Sequence, residues 1–336
     1  MVTRHTPVVF PHGSEVLRTL YRWIAAGICF GVLCSSCVHT RGVPPDIAEK
    51  IKNGGRVVDG RGMAALYAPF QEKEPYEGVL VRRGESYGPD PQNLADVFAP
   101  QHTSGSPRPV LIFVHGGGFT AGARKLSADS PFYDNVGVWA VRHGLIGVTM
   151  TYRLAPQSRW PAAAEDIGRA VEWVQRNIAA MGGDSNRIFL MGHSAGATHV
   201  ASYVSHPQFW EGAHLNIRGA IIASGSFDVT VGQVPADEQS FVDREGAYFS
   251  QDPSRLAEQS SIPGLLGSPV PLLFVNAEFD PAYFLRRTAA LKTAFEGSHR
   301  GARFVLLSGE SHMSEIFSVN SKDESFSREI DHFIRH

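Results

Sequence analysis

The pentapeptide Gly-His-Ser-Ala-Gly at residues 192–196 constrains the fold of this chain more than any other feature. It follows an apolar run, 187–191, that predicts a strand, and it precedes a run, 197–205, that predicts a helix. A G-x-S-x-G sequence in this context is typical of a sharp strand-to-helix turn that exposes a serine hydroxyl. The free N–H groups of the helix N-terminus also favour negative charge nearby. The sequence therefore predicts that Ser194 is a nucleophile held on such a turn.

Strand-like and helix-like runs alternate along the chain from residue 78 onward. Strands are predicted at 78–83, 93–98, 110–114, 145–150, 187–191, 219–223, 272–275 and 304–307, the first two at the edge of the sheet. Further helices are predicted at 46–52, 136–143, 162–179 and 325–334. Such alternation predicts an α/β fold with a mostly parallel, doubly wound sheet flanked by helices.

The interval 230–268 breaks this alternation, since it holds no clear strand and is rich in polar residues, proline and aromatics. Two interpretations stay open. It is a lid whose Phe241, Tyr248 and Phe249 face a pocket, or it is a surface excursion that these aromatics pack down. Residues 38–77 are predicted to form a tether and a small partial cap. Residues 78–336 are predicted to form one domain that includes the insertion.

The N-terminal segment 1–37 resembles an export signal. Arg18 and Arg22 precede a largely apolar run, 23–33, which is too short to span a bilayer comfortably. Ser-Ser-Cys at 35–37 resembles a bacterial lipobox, although Cys34 stands where leucine is usual. The chain is therefore expected in the periplasm or anchored to a membrane through a lipid on Cys37. Simple secretion and a retained signal remain alternatives.

Composition excludes several other classes of function. The formal net charge is −2, and no run of basic residues interleaved with aromatics predicts nucleic-acid binding. All three cysteines lie within residues 29–37, so the rest of the chain has no disulfide, cysteine metal site or catalytic thiol. The histidines form no H-E-x-x-H pattern. We expect no metal or organic cofactor, and the sequence predicts no oligomeric state.

A glycine-rich segment, His-Gly-Gly-Gly at 115–118, ends the predicted strand 110–114. Acyl transfer places negative charge on a carbonyl oxygen, and backbone N–H groups must be in place where that charge develops. Glycines let the main chain approach closely enough to present them. We expect this oxyanion hole to consist of the N–H groups of Gly117, Gly118 and Ala195.

The general base is predicted to be His312, because it follows the last predicted strand and a loop there reaches across the edge of the sheet. His299 precedes that strand, and His332 lies inside the last helix. His193 lies in the turn itself, where its neighbouring position directs it away from Ser194.

The acid that orients the base is predicted to be Asp280, which follows the apolar run 272–275. Its carboxylate would accept a hydrogen bond from the imidazole and fix the tautomer. Asp228, after the preceding strand, is the competing candidate, and Glu278 is an alternative brace for the loop. The chain order Ser194, Asp280, His312 is the order that a serine on this kind of turn usually has.

Several motifs together carry a resemblance to a known family. They are His-Gly-Gly-Gly-Phe at 115–119, Tyr-Arg-Leu-Ala-Pro at 152–156, Gly-Gly-Asp at 182–184, Glu-Phe-Asp-Pro at 278–281 and Ser-His at 311–312. With the pentapeptide, they resemble the hormone-sensitive-lipase-like and bacterial feruloyl/acetyl esterase (BD-FAE-like) branch of the α/β-hydrolases, over roughly residue 78 to the end. His193 stands where many lipase-like members have aspartate, which favours the feruloyl/acetyl esterase side.

The resemblance implies an α/β-hydrolase fold and a serine carboxylesterase that acts through an acyl-enzyme on small to medium carboxylic esters. Two alternatives remain. An amidase or peptidase on the same fold would need a larger additional domain. A hydrolase-fold binding protein without activity normally lacks one of the three catalytic side chains.

Overall fold

The structure, a computed structural model, describes residues 42–102, 105–210, 215–228, 234–250, 252–298 and 301–336. The predicted export signal with Cys37 lies outside these residues, so export and lipid anchoring stay predictions from the sequence. Within the described ranges, no helix combines the length and the apolar character that crossing a membrane would require.

Eight strands form one sheet in the order β1-β2-β4-β3-β5-β6-β7-β8. They are Val79–Ser86 (β1), Leu94–Pro100 (β2), Arg108–Val114 (β3), Ile146–Met150 (β4), Gly183–His193 (β5), Gly219–Ala223 (β6), Leu272–Phe279 (β7) and Arg303–Ser311 (β8). β2 is antiparallel to both of its neighbours, and the six strands from β4 to β8 pair in parallel. The predicted α/β class with a mostly parallel sheet is confirmed.

The second of the two predicted edge strands lies inside the sheet. β2 pairs with β1 on one side and with β4 on the other. Val97 and Phe98 point to opposite faces of the sheet, and both are buried. The prediction of an edge position for 93–98 is therefore wrong. It relied on the turn between β1 and β2, which joins those two strands but does not determine what pairs with the far side of β2.

Helices cover both faces of the sheet. They are Pro45–Gly54 (α1), Gly60–Tyr67 (α2), Asp134–Arg142 (α3), Ala162–Asn177 (α4), Ala195–Ser205 (α5), Gln239–Tyr248 (α6), Pro253–Gln259 (α7), Ile262–Leu266 (α8), Ala282–Glu296 (α9), Ser314–Phe317 (α10) and Ser327–Arg335 (α11). Short 3-10 turns follow α2, α4 and α5, and another precedes α6.

The alternation of side chains along β3 divides the core into two layers. Val110, Ile112 and Val114 lie in one apolar cluster with residues of α4 and α5, whereas Leu111 and Phe113 lie in another with residues of α1, α3 and α11. Because successive residues of a strand face opposite sides, a strand buried on both faces is apolar throughout. This burial explains the continuous apolar runs of the central strands, whose carboxyl ends carry the site described below.

The insertion at 230–268 contains α6, α7 and α8 and no strand among its described residues. Phe241 lines a cavity, as one of the two interpretations predicted. Tyr248 and Phe249 are instead buried in the core, where both rings contact Phe119. The prediction that they face the pocket is therefore wrong for these two residues, because their aromatic partner lies more than 120 residues earlier in the chain.

Candidate active site

Ser194 lies on a tight turn between β5 and α5. Its backbone has φ 55° and ψ −122°, a conformation that non-glycine residues rarely adopt, and its N–H donates to the carbonyl oxygen of Ala223 at 2.9 Å. A side chain on Gly192 would overlap the main chain of Gly196, and one on Gly196 would overlap the carbonyl of Val114. The two flanking glycines are therefore required by close main-chain contacts.

His312 directly follows β8 and reaches Ser194. Its Nε2 lies 2.9 Å from the Ser194 Oγ, and its Nδ1 lies 2.8 Å from Oδ1 of Asp280. The ring is buried and stacks on Phe284, with the ring centres 4.7 Å apart. The structure thus brings together the three side chains that the sequence singled out, in one continuous chain of hydrogen bonds.

Asp280 is buried at the end of β7 and receives several hydrogen bonds. Besides His312, its other oxygen accepts from Ser224 Oγ at 2.6 Å, Asn276 Nδ2 at 2.9 Å and the Ala277 N–H at 3.0 Å. Burial alone would raise the pKa of Asp280, but the hydrogen bonds from His312, Ser224 and Asn276 outweigh burial and hold the pKa below its usual value. The carboxylate therefore stays ionised beside the imidazole.

The competing candidates occupy other positions. Glu278 accepts hydrogen bonds from Ser308 Oγ at 2.9 Å and from the Gly309 N–H at 2.8 Å, so it braces the last part of β8, which leads to His312. The main-chain oxygen of Asp228 accepts from Arg287. His332 lies in α11, as predicted, and His299 is outside the described residues.

His193 points away from Ser194 and ties the turn to the loop of the base. Its Nε2 lies 2.7 Å from the carbonyl oxygen of His312 and 3.3 Å from Glu315 Oε1. Burial lowers the pKa of His193 to about 4 and raises the pKa of Glu315 well above its usual value. The imidazole of His193 is therefore neutral near pH 7, and burial favours the protonated form of Glu315. No sequence pattern pointed to Glu315, whose contact with His193 joins residues 122 positions apart.

His193, His312 and Glu315 lie close enough together to be considered as metal ligands. The donor set does not suit an ion. Both ring nitrogens of His312 are engaged by Ser194 and Asp280, and Nε2 of His193 faces the His312 carbonyl. Metal binding would require these hydrogen bonds to break and would require an ionised Glu315, a form that burial disfavours.

The glycine segment after β3 lies directly against Ser194. A side chain on Gly116 would come within 3.0 Å of the Ser194 Cβ, and one on Gly117 would overlap the carbonyl of Ala121. Gly117 has φ 132° and Gly118 has φ 60°, which glycine adopts without strain. Gly117, Gly118 and Ala195 all border the same cavity as Ser194, which is the placement that a role in binding an oxyanion requires.

A cavity of about 440 Å³ opens above Ser194. Its size lies in the range of small-molecule sites. Most of its wall is apolar or aromatic, contributed by Val58, Phe119, Leu126, Tyr133, Ala195, Phe241, Tyr283, Phe284 and Met313. Such a wall excludes water around a bound molecule and strengthens hydrogen bonds at the reacting group.

Another buried histidine lies on α5 behind the glycine segment. The ring centre of His199 is 4.6 Å from that of Tyr152, 4.7 Å from Tyr248 and 5.3 Å from Phe119. Burial lowers the pKa of His199 to about 3. Its folded pKa is thus depressed below the usual value of about 6.5, so between these values the unfolded chain binds a proton that the folded protein does not.

We expect His199→Phe to flatten the dependence of stability on pH. As the pH falls from 6 to 4, His199 should lower the free energy of unfolding by about 1.4 kcal/mol per pH unit, and the variant lacks this contribution. Urea unfolding at a series of pH values measures the slope of the unfolding free energy against pH for the wild type and for the variant. Above pH 7.5 the imidazole is neutral in both states, so the two slopes should coincide there. Equal slopes for the two proteins between pH 4 and 6 would contradict the lowered pKa of His199.

Comparisons with known proteins agree with this geometry. The BD-FAE family matches residues 95–230. Esterase LipC of Mycobacterium tuberculosis (strain ATCC 25618 / H37Rv) is 32% identical over 179 residues, which is 49% of this chain and 43% of LipC. Isoprenylcysteine alpha-carbonyl methylesterase ICME of Arabidopsis thaliana is 35% identical over 122 residues, 36% of this chain and 27% of ICME. The chain thus spans less than half the length of these curated relatives.

Among solved structures, esterase B from Lactobacillus rhamnosis, inhibited by a tributyrin phosphonate, has a TM-score of 0.66 at 16% identity, over 87% of this chain and 96% of that one. At this identity the likeness shows the fold. Together with the sheet order and the strand-to-helix turn at Ser194, it establishes that this chain has the α/β-hydrolase fold and that its central part resembles the BD-FAE esterases.

Proposed function

We propose that this protein is a serine carboxylic ester hydrolase that acts on small to medium esters through an acyl-enzyme. The observation that carries the proposal is the chain of hydrogen bonds from Ser194 Oγ through His312 to Asp280, at 2.9 and 2.8 Å, at the floor of the apolar cavity. A serine hydroxyl becomes a useful nucleophile when an oriented base accepts its proton, and this arrangement supplies both the base and its orientation.

The proposed reaction assigns one role to each group. His312 Nε2 takes the proton of Ser194 as Oγ attacks the ester carbonyl, and the N–H groups of Gly117, Gly118 and Ala195 bind the resulting oxyanion. The imidazolium then protonates the leaving alcohol. Water, activated by the same imidazole, hydrolyses the acyl-enzyme and regenerates Ser194. Ionised Asp280 stabilises the imidazolium and keeps the proton on Nδ1 in the resting state.

The named relatives support an ester as the substrate, since LipC and ICME are both called esterases. The two alternatives have less support. A binding protein without activity would have no need for His312 to lie within hydrogen-bond distance of both Ser194 and Asp280. For an amidase or peptidase, no feature of the cavity points to an amide group.

The proposal predicts turnover of a short-chain ester and covalent capture by a phosphonate. Wild-type protein should hydrolyse 4-nitrophenyl butyrate, and an alkyl phosphonate should stop turnover after adding one group per chain. Mass spectrometry of the peptides should locate that group on Ser194, because only an activated hydroxyl displaces the leaving group of the phosphonate.

Ser226 provides an internal control for this labelling, because it also lines the cavity but its hydroxyl forms no hydrogen bond with a histidine among the described residues. A Ser226→Ala variant should be labelled as readily as the wild type. A label on Ser226, or no label together with no hydrolysis, would rule out the proposed function.

A further inference from the structure

One cationic side chain lies in the wall of an otherwise mostly apolar cavity. Arg244 belongs to α6, the first helix of the insertion, and lines the cavity with Phe241 and Glu245 from the same helix. An arginine at this position is not needed for the proposed chemistry, because His312 and Asp280 already supply the proton transfer.

Arg244 lies directly over the glycine segment. A Cβ on Gly118 would come within 2.7 Å of Arg244 Cδ, 3.4 Å of Nη1 and 3.6 Å of Nε. The exposed side chain of Arg244 therefore lies over Gly118, and its guanidinium is next to the segment that borders Ser194. Because Arg244, Gly118 and Ser194 line the same cavity, a group bound to this guanidinium would share that cavity with an ester attacked by Ser194.

The charge of Arg244 is not neutralised by the acidic groups around it. Glu245, the other charged residue in the cavity wall, faces Arg287, with Oε2 and Nη2 3.7 Å apart. Asp243, next to Arg244 in sequence, is exposed and accepts a hydrogen bond from Gln239 Nε2 at 2.9 Å. Among the described residues no carboxylate forms a salt bridge with Arg244, so its five N–H donors are open to a ligand.

We propose that the cavity selects esters that carry a carboxylate, which the Arg244 guanidinium binds while Ser194 attacks the ester group. This inference depends on the proposed function and specifies its substrate class. A planar guanidinium pairs with a carboxylate through two parallel hydrogen bonds, a geometry that neither a neutral ester nor an apolar wall can reproduce. Because the Arg244 side chain lies over Gly118, which borders the same cavity as Ser194, we expect a carboxylate two or three carbons from the scissile carbonyl. A half-ester of a short dicarboxylic acid has this arrangement.

The test compares each anionic ester with its neutral methyl-ester counterpart. Wild-type protein is assayed with mono-4-nitrophenyl glutarate and with its neutral methyl ester, and kcat/KM is measured for each. We expect the ratio of anionic to neutral ester to fall about tenfold in Arg244→Gln, mainly through KM, because a charge-assisted contact is lost. The wild-type ratio should also decrease in 1 M NaCl, because salt screens a partly exposed pair.

Arg255 provides a matched control. It lies on α7 of the same insertion, is exposed and does not line the cavity, so Arg255→Gln should keep the wild-type ratio. Arg244→Lys retains the positive charge but lacks the paired donors of the planar guanidinium. Its anionic-to-neutral ratio of kcat/KM should lie between those of wild type and Arg244→Gln.

A second pair of esters locates the carboxylate. Butyrate esters of 4-hydroxybenzoate and of its methyl ester carry the charge or its neutral counterpart on the alcohol side. If Arg244→Gln lowers the anionic-to-neutral ratio of kcat/KM for either pair, the proposal is supported. The pair affected shows whether the bound carboxylate belongs to the acyl part or to the alcohol part of the ester. Equal losses of kcat/KM on the charged and the neutral esters in Arg244→Gln would overturn the proposal, since Arg244 would then stabilise the oxyanion and would not bind a carboxylate. Unchanged ratios for both pairs would overturn it too. If wild type hydrolyses none of the four esters, the proposed function itself fails.

Discussion

Replacing Ser194 with alanine should lower kcat for ester hydrolysis by about 10⁶-fold, the size of effect that follows loss of the nucleophile in an enzyme of this kind. The variant removes the Ser194 oxygen that lies 2.9 Å from His312 Nε2, so no acyl-enzyme can form on this residue. The residual rate comes from binding and from the N–H groups of the glycine segment. Steady-state assays with 4-nitrophenyl butyrate, at enzyme concentrations high enough to detect slow turnover, measure the loss.

Two control measurements test whether this loss is specific to the Ser194 hydroxyl. Ser194→Ala should unfold at nearly the same temperature as the wild type, because the Ser194 N–H bond to Ala223 is retained and only one side-chain oxygen is lost. Ser226→Ala, which removes a hydroxyl from the same cavity, should keep most of the activity. Wild-type rates in Ser194→Ala would mean that hydrolysis occurs elsewhere on the chain.

Local sequence predicted the turn at Ser194 well because all of its determinants are local. The strand, the two glycines and the following helix lie within about twenty residues, and each is required by contacts inside that segment or by the neighbouring β3. The apolar runs also predicted the positions of the central strands. Runs that are apolar throughout indicate strands buried on both faces, whatever their pairing.

Features that depend on distant contacts could not be predicted in the same way. Tyr248 and Phe249 are aromatic residues in a polar insertion, and their burial in the core depends on distant residues such as Phe119 and His199. Glu315 follows His312 by three residues. Its burial beside His193 depends on the contact between the turn at Ser194 and the segment after β8. The interior position of β2 likewise depends on its pairing with β4, fifty residues later.

Asp280→Asn should lower kcat by about 10⁴-fold while the fold is retained. The amide oxygen of asparagine can still accept from Ser224, Asn276 and the Ala277 N–H, which all bond to Oδ2. Its NH₂ group would then face Nδ1 of His312, in place of the oxygen that now lies 2.8 Å away. Nδ1 must accept that hydrogen bond, so the neutral ring carries its proton on Nε2 and cannot take one from Ser194.

Asp228→Asn separates this effect from a general loss of negative charge near the site. Asp228 follows β6 as Asp280 follows β7, so the two variants remove equal charge from adjacent strand ends. Asp280 is the carboxylate that lies 2.8 Å from Nδ1 of His312, and we therefore expect Asp228→Asn to keep kcat within about tenfold of wild type. The opposite ranking, with the larger loss in Asp228→Asn, would transfer the orienting role to Asp228. The comparison thus tests the tautomer of His312, because charge alone would predict equal losses.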